Sequence, residues 1–369
     1  MKKKIDARKN LRRIILNLHQ YTAGRSIQEI AVKYKIDPKK ILKVGSNENV
    51  LGSSQKALKA AKNALDRVNI YPQVASDDLA NKLKKIYKLK HVDVFAGNGM
   101  DHIFEMLARL FLNNGDETII CSPTFSCYEL ATLWSGAKPI FVPLLKPDYQ
   151  LDVKNILKKI NKKTKIIFLC SPNNPTGNSM KLRDIKAILE STDKIVFLDE
   201  AYTEFGNRPL ARWVDKYPNL VIGRTFSKIY GLAGLRIGYA FMHKSLGTYY
   251  KNSITPFVVS TVAQAAAISA LDDKEFLNKT RKMVKLGKNY YYKELKKAGI
   301  KFLSSNANFI AINTAPLKGK SVTDKLMQKG IITRECSAFG KGGENLVRIT
   351  IGTKEQNKRV MKELKDIFK

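Results

Sequence analysis

Cysteine, histidine and tryptophan are scarce in this 369-residue chain, at four, four and two residues. Cys121, Cys127, Cys170 and Cys336 show no CxxC spacing, and three of them sit in or beside apolar runs. Neither a disulfide framework nor a thiolate zinc site is expected from that pattern. His19, His91, His102 and His243 form no pair at helical spacing, so no metal is expected. No stretch reaches the ~18 consecutive apolar residues of a membrane-spanning helix. The opening MKKKIDARKNLRRIILNL is basic, but Arg12, Arg13 and Asn17 break up its apolar residues and no small-residue cleavage site follows. The expectation is a cytoplasmic protein with a basic amino-terminal arm and no membrane contact.

Acidic residues are the minority charge, 32 against 66 Lys and Arg, leaving a formal charge of +34. Such an excess suits a nucleic-acid binder. Here, however, the lysines are dispersed through helical segments such as DVKNILKKINKKTK, with no zinc finger, RNP-like motif or helix-turn-helix beside them. The charge therefore reads as a solvated surface that also attracts small anionic substrates, with no nucleic-acid partner.

At 44% hydrophobic the chain can bury a large core, and no repeat or low-complexity linker divides it. Amphipathic stretches alternate with short apolar runs, the pattern of an α/β fold with helices on both faces of a mainly parallel sheet. Candidate strands lie at 117 to 122, 138 to 143, 165 to 170, 194 to 199, 219 to 224 and 235 to 241, and candidate helices at 54 to 67, 76 to 88, 100 to 112 and 181 to 190. After Pro256 the texture changes to a long helix over 273 to 298, two strand-like runs, ANFIAINT and NLVRITIG, and a helix over 354 to 368. That reads as a smaller α+β unit.

Ligands of an open parallel sheet bind beyond the carboxyl ends of its strands. KIIFLC is followed by SPNNPTG, KIVFL by DEAY and NLVIGR by TFSK, so Asn174, Asp199, Tyr202, Thr225, Ser227 and Lys228 can meet at one edge. Singly, each has an ordinary explanation: a turn, a helix cap, a core aromatic. Jointly they supply an amine, a carboxylate, a phenol, an amide and two hydroxyls, with Arg236 eight residues beyond the lysine. A lysine desolvated among apolar neighbours loses its proton more easily and can form an imine with a carbonyl. A pyridine cofactor would place its ring nitrogen on Asp199, its 3-oxygen on Asn174 and Tyr202, and its phosphate on Thr225, Ser227 and Arg236. GNGMDHIFEMLARLF adds a glycine turn running into a helix, whose free N–H groups at Gly99, Met100 and Asp101 suit an anion; a plain helix start capped near Asp101 is the alternative.

With these residues go YTAGRSIQEIA, KVGSNENVLGSS, IYPQ, SPTFSCYEL, RTFSKIYGLAGLRIGYA, ANFI and LVRITIGT, in this order over nearly the whole length. The chain thereby resembles the pyridoxal 5'-phosphate aminotransferases of fold type I, and within them the histidinol-phosphate aminotransferase family. The resemblance implies a large domain (46–250) with a mainly parallel seven-stranded sheet, a small domain (251–369), and an arm at 1–45 that joins the small domain in part. It implies that Lys228 bonds the cofactor and shuttles a proton at the substrate's Cα, with Asp199 and Tyr202 as its catalytic partners, and that Phe125 stacks on the cofactor ring. It also implies a homodimer in which Tyr71 reaches the neighbour's cofactor phosphate. Arg348, Arg334, Asn47 and, from the partner's arm, Tyr21 would hold the substrate: histidinol phosphate, or glutamate and 2-oxoglutarate.

Departures from the family pattern are NENVLG for NENPLG, His102 where an acid is usual, and Met100 for a small residue. RECSAFGKGGENLVR separates the two arginines by a longer loop than the family's and also looks like phosphothreonine decarboxylases. An aromatic amino-acid aminotransferase and a serine- or threonine-phosphate decarboxylase therefore remain alternatives, as does a non-catalytic anion-binding regulator.

Overall fold

The computed structural model describes residues 6–16, 18, 24–206 and 209–369. Seven strands build the main sheet: β1 Val92–Asn98, β2 Glu117–Ser122, β3 Lys138–Pro143, β4 Thr164–Cys170, β5 Ile195–Asp199, β6 Leu220–Thr225 and β7 Ile237–His243. Their spatial order is β1-β7-β6-β5-β4-β2-β3. β2 to β6 are mutually parallel, whereas β7 runs antiparallel to both β6 and β1. The mainly parallel seven-stranded sheet expected from the resemblance is therefore present.

β5 and β6 are buried along their whole length and β4 everywhere but at Lys165, which is why their centres read as short apolar runs. β1 was not among the candidate strands. Its run VDVFAGN is broken by Asp93, which is buried and salt-bridged to Lys84 at 2.9 Å, so a paired charge interrupts the apolar signal.

The carboxyl-terminal part forms a second, antiparallel sheet in the order Arg334–Glu335, Leu346–Thr350, Phe309–Asn313, Phe302–Leu303. Leu42–Lys43 pairs with Ile331–Ile332, tying the chain near residue 42 to this unit. The expected long helix is Lys274–Lys297, and the last is Lys354–Ile367. Residue 250 falls inside helix Lys244–Ser253, and helix Thr261–Ala270 packs against Gln55–Ala64. Since the apolar face of that helix is buried on the larger unit, we propose that the larger unit extends through Ala270.

No helix among the described residues is long and apolar enough to cross a membrane, and no three His, Cys, Asp or Glu side chains among them cluster as metal ligands.

Candidate active site

A cavity of about 440 Å³ opens at the carboxyl edge of the main sheet, with Lys228 in its wall. The parallel strands deliver their ends to it: Asn174 follows β4, Asp199 closes β5, Thr225 closes β6, and Phe125 follows β2. Arg236 arrives by a different route. Because β7 is reversed, its first residues lie at the edge where the other strands finish, with Gly238 opposite Thr225 and Ile237 opposite Asn98.

Asp199 is buried and accepts two hydrogen bonds, from the Tyr128 hydroxyl at 2.5 Å and from the Ala201 amide at 2.9 Å. Burial pushes its carboxyl up to about 6, against the pull of these two bonds, so it is ionised at neutral pH. Lys228 donates to the Ser46 carbonyl at 3.3 Å, and its amine is pushed down to about 8, by burial first and the Arg348 charge second.

Neighbouring protein groups orient the amide and the phenol. Arg348 donates to the Asn174 carbonyl oxygen at 2.5 Å, which leaves that amide's NH₂ to face the cavity. Tyr202 accepts from the Asn47 side-chain amide at 2.9 Å, leaving its own proton to donate. Asn47, expected to touch substrate, is itself buried with both ends of its amide engaged, since its carbonyl accepts from Thr350 at 3.1 Å.

Around the glycine turn, the first helix after β1, α1 (Gly99–Phe111), starts without a side-chain cap on its N–H groups. That favours an anion over the simple capping explanation. Gly99 has φ +76°, and a Cβ there would lie 2.5 Å from the Arg236 guanidinium. A Cβ on Gly238 would lie 2.8 Å from the Met100 amide nitrogen. Without side chains at these two positions the helix start, the arginine and β7 converge; Thr225 and Ser227 complete the group, their hydroxyls 2.9 Å apart. Asp101 holds Arg236 by an exposed ion pair at 2.8 Å. Met100 and Asp101 line the cavity, while Gly99 shapes it from behind.

Arg334 and Arg348 sit directly opposite each other on neighbouring antiparallel strands, both buried and both lining the cavity. Their guanidinium groups lie 5.4 Å from the centre of one ring, Phe339. Like charges facing each other across a ladder are unfavourable unless something anionic is to be held between them. The segment that read as a long loop folds back tightly: the Thr124 amide donates to the Phe339 carbonyl at 2.9 Å, next to Phe125. Cys336 within it is buried, with its thiol pushed up to about 12, so it is a packing residue.

Two expected residues lie elsewhere. Tyr71 does not line the cavity; it is 80% exposed and stacks on Phe257 at 4.8 Å. Tyr21 lies outside the described residues. Conversely, sequence reasoning passed over Tyr128, Phe339 and a buried pair, Glu200 and Arg224, bonded at 2.9 and 2.5 Å. Each member of that pair is the immediate chain neighbour of a site residue, Asp199 or Thr225, and that adjacency was the available signal. Replacing Glu200 with Ala leaves a buried guanidinium unpaired and is expected to cost about 3–5 kcal/mol in urea unfolding.

The family model for aminotransferase class I and II matches residues 39–364. A histidinol-phosphate aminotransferase of Methanosarcina mazei is 43% identical over 97% of this chain and 96% of its own length. The corresponding protein of Methanocaldococcus jannaschii is 36% identical, with 97% of each chain covered. Among solved structures, the histidinol-phosphate aminotransferase of Clostridium acetobutylicum superposes with a TM-score of 0.83 at 26% identity, over 89% of this chain and 99% of that one. That of Sinorhizobium meliloti, solved in complex with pyridoxal-5'-phosphate, superposes with a TM-score of 0.87 at 22% identity, over 99% and 98%. The chain belongs to the class I and II aminotransferase family, alongside relatives named histidinol-phosphate aminotransferases.

Proposed function

We infer that this protein is a pyridoxal-phosphate-dependent transaminase that exchanges the amino group of histidinol phosphate with that of glutamate, giving imidazole-acetol phosphate, in either direction. The observation that carries the substrate is the opposed pair Arg334 and Arg348 in the same cavity as Lys228. A planar guanidinium fork matches a phosphate or a carboxylate, so one pair can serve both substrates.

The residues fit the cofactor: a carboxylate for its ring nitrogen at Asp199, donors for its 3-oxygen at Asn174 and Tyr202, an aromatic face at Phe125, and a phosphate cradle of Thr225, Ser227, Arg236 and the uncapped start of α1. When bound, pyridoxal phosphate supplies an aldehyde that condenses with amines and a ring that accepts the electron pair released at Cα. Asp199 would hold a proton on the ring nitrogen, and Tyr128, which donates to Asp199, favours its carboxylate form. Lys228, with its depressed proton affinity, would be the base that takes the proton from the substrate's Cα and delivers it to the cofactor's aldehyde carbon, on the other side of the transferred nitrogen. Asn47 positions Tyr202, and Arg348 positions Asn174 while facing the substrate.

Mixing cofactor-loaded protein with histidinol phosphate, without keto acid, should bleach the cofactor's visible band in one turnover. L-phenylalanine or O-phosphothreonine bleaching it faster, or carbon dioxide evolving, would overturn the substrate reading. Arg334→Ala is expected to lower kcat/KM for histidinol phosphate by about 10- to 100-fold while affecting unphosphorylated histidinol far less.

We further place a second copy of the chain on the face carrying Leu65, Val68, Ile70, Tyr71, Val74 and Phe257, all exposed. So many large apolar side chains in one patch favour burial against a partner. Tyr71 would then reach the neighbour's phosphate cradle. Val68→Glu is expected to give monomers by sedimentation and weaker cofactor retention; a dimer that persists unchanged would exclude this face.

A further inference from the structure

A second cavity, of about 860 Å³, shares no lining residue with the first. It lies between segment 203–206, immediately after Tyr202, and the long helix Lys274–Lys297, here α2.

One wall of it is a single face of α2. Lys274, Asn278, Arg281, Lys285 and Lys288 all line the cavity. Successive members are four, three, four and three residues apart and alternate ones seven, which keeps the side chains on one side of a helix. Four of the five are cations, and like charges one turn apart repel. Elsewhere on α2 a charge is matched, as where Glu294 takes Lys365 at 2.6 Å. Among the described residues, Glu204 is the one carboxylate lining this cavity. Two of the cations are already held in place: the Arg281 Nε donates to the Glu204 carbonyl at 2.9 Å, and the Lys288 Nζ to the Ser305 carbonyl at 3.0 Å.

Two residues lining the cavity each carry a buried polar atom without a partner among the described residues. Thr203 is 2% exposed, and its Oγ1 makes no hydrogen bond with any described residue; neither does the buried Oε1 of Glu204. Buried polar atoms are almost always satisfied, so two unsatisfied ones in the wall of one cavity mark a place where a ligand completes them once their side chains turn toward it. Tyr230, Leu271 and Leu277 add apolar surface. Burial pushes the Glu204 carboxyl up to about 7, so the acid form can donate to an anion rather than repel it.

We propose that this second cavity binds a small phosphate-bearing anion, gripped by the cation row of α2 and completed by Thr203 and Glu204. From Lys274 to Lys288 the row runs roughly 20 Å at the helical rise, so it suits a ligand with more than one anionic group better than a single phosphate. A bound anion would also join the segment that follows Tyr202 to a helix of the carboxyl-terminal unit.

The test is calorimetric titration of inorganic pyrophosphate and of inorganic phosphate into cofactor-loaded Arg334→Ala protein, whose substrate cavity is weakened for anions. Pyrophosphate is expected to bind once per chain and more tightly than phosphate. Adding Lys285→Glu, at an exposed position, is expected to weaken it ~10-fold or more while leaving basal transamination of otherwise wild-type protein unchanged. Hydrogen exchange on the wild-type holoenzyme gives an independent readout, with pyrophosphate protecting 203–206 and 274–288. Absence of binding, binding unaffected by Lys285→Glu, or protection confined to the first cavity would each overturn the proposal.

Discussion

Lys228→Ala is expected to lower transamination by about a thousandfold or more and to remove the visible absorbance of the loaded protein, while histidinol phosphate still binds. The loss should be that large because two tasks fall on one amine: bonding the cofactor's aldehyde and moving the Cα proton. No other described lysine lines the cavity. A variant that stays active without the absorbance would sink the mechanism, as would one that keeps the absorbance.

The same substitution has a signature in the cofactor-free protein. The Lys228 amine is pushed from 10.5 down to about 8, by burial first and then by Arg348. Between these values the unfolded chain holds a proton that the folded one has released, so this group's contribution to stability is present above 10.5 and is lost as pH falls through about 8. Lys228→Ala should remove that slope. Urea midpoints at pH 7 and pH 9.5 would then lie closer together in the variant, which gains most, relative to wild type, at the lower pH.

Much of this site was legible because it is built from strand ends. An apolar run followed by a polar cluster is visible in one dimension, and β4, β5 and β6 each present that pattern just before Asn174, Asp199 and Lys228. What stayed hidden depends on partners distant in the chain. Tyr128 lies 71 residues from the carboxylate it bonds, and nothing in CYELATLW distinguishes its hydroxyl from a core aromatic's. The opposition of Arg334 and Arg348 rests on strand register, which spacing does not reveal when the connecting segment is irregular. β1 was missed for the related reason that a buried charge, satisfied by Lys84, breaks its apolar run. The cation row of α2 was diluted by a chain carrying 66 Lys and Arg, and becomes conspicuous only when a cavity is found in front of it.

Asp199→Asn is expected to reduce turnover by about 10²- to 10⁴-fold with the fold intact, because the amide keeps the shape and loses the charge that holds a proton on the ring nitrogen. Tyr128 sets how robust that charge is. Burial raises the Asp199 carboxyl from 3.8 to about 6, and the Tyr128 bond is the strongest influence in the other direction. In the cofactor-free protein the folded state therefore holds a proton between 3.8 and 6 that the unfolded chain has released. The group's contribution to stability is present below 3.8 and is lost as pH rises through about 6. Removing the hydroxyl in Tyr128→Phe takes away a donor to the ionised form, worth about 1.5–3 kcal/mol for a bond to a charged group, so the carboxyl should rise further. The acid limb of both cofactor affinity and turnover should then move up by about one to two pH units. At pH 8.5, above both limbs, the variant should approach wild-type turnover, whereas Asp199→Asn should stay impaired at every pH. Tyr128→Phe remaining impaired at pH 8.5 would mean that the hydroxyl only packs against the ring site and does not govern the charge of Asp199.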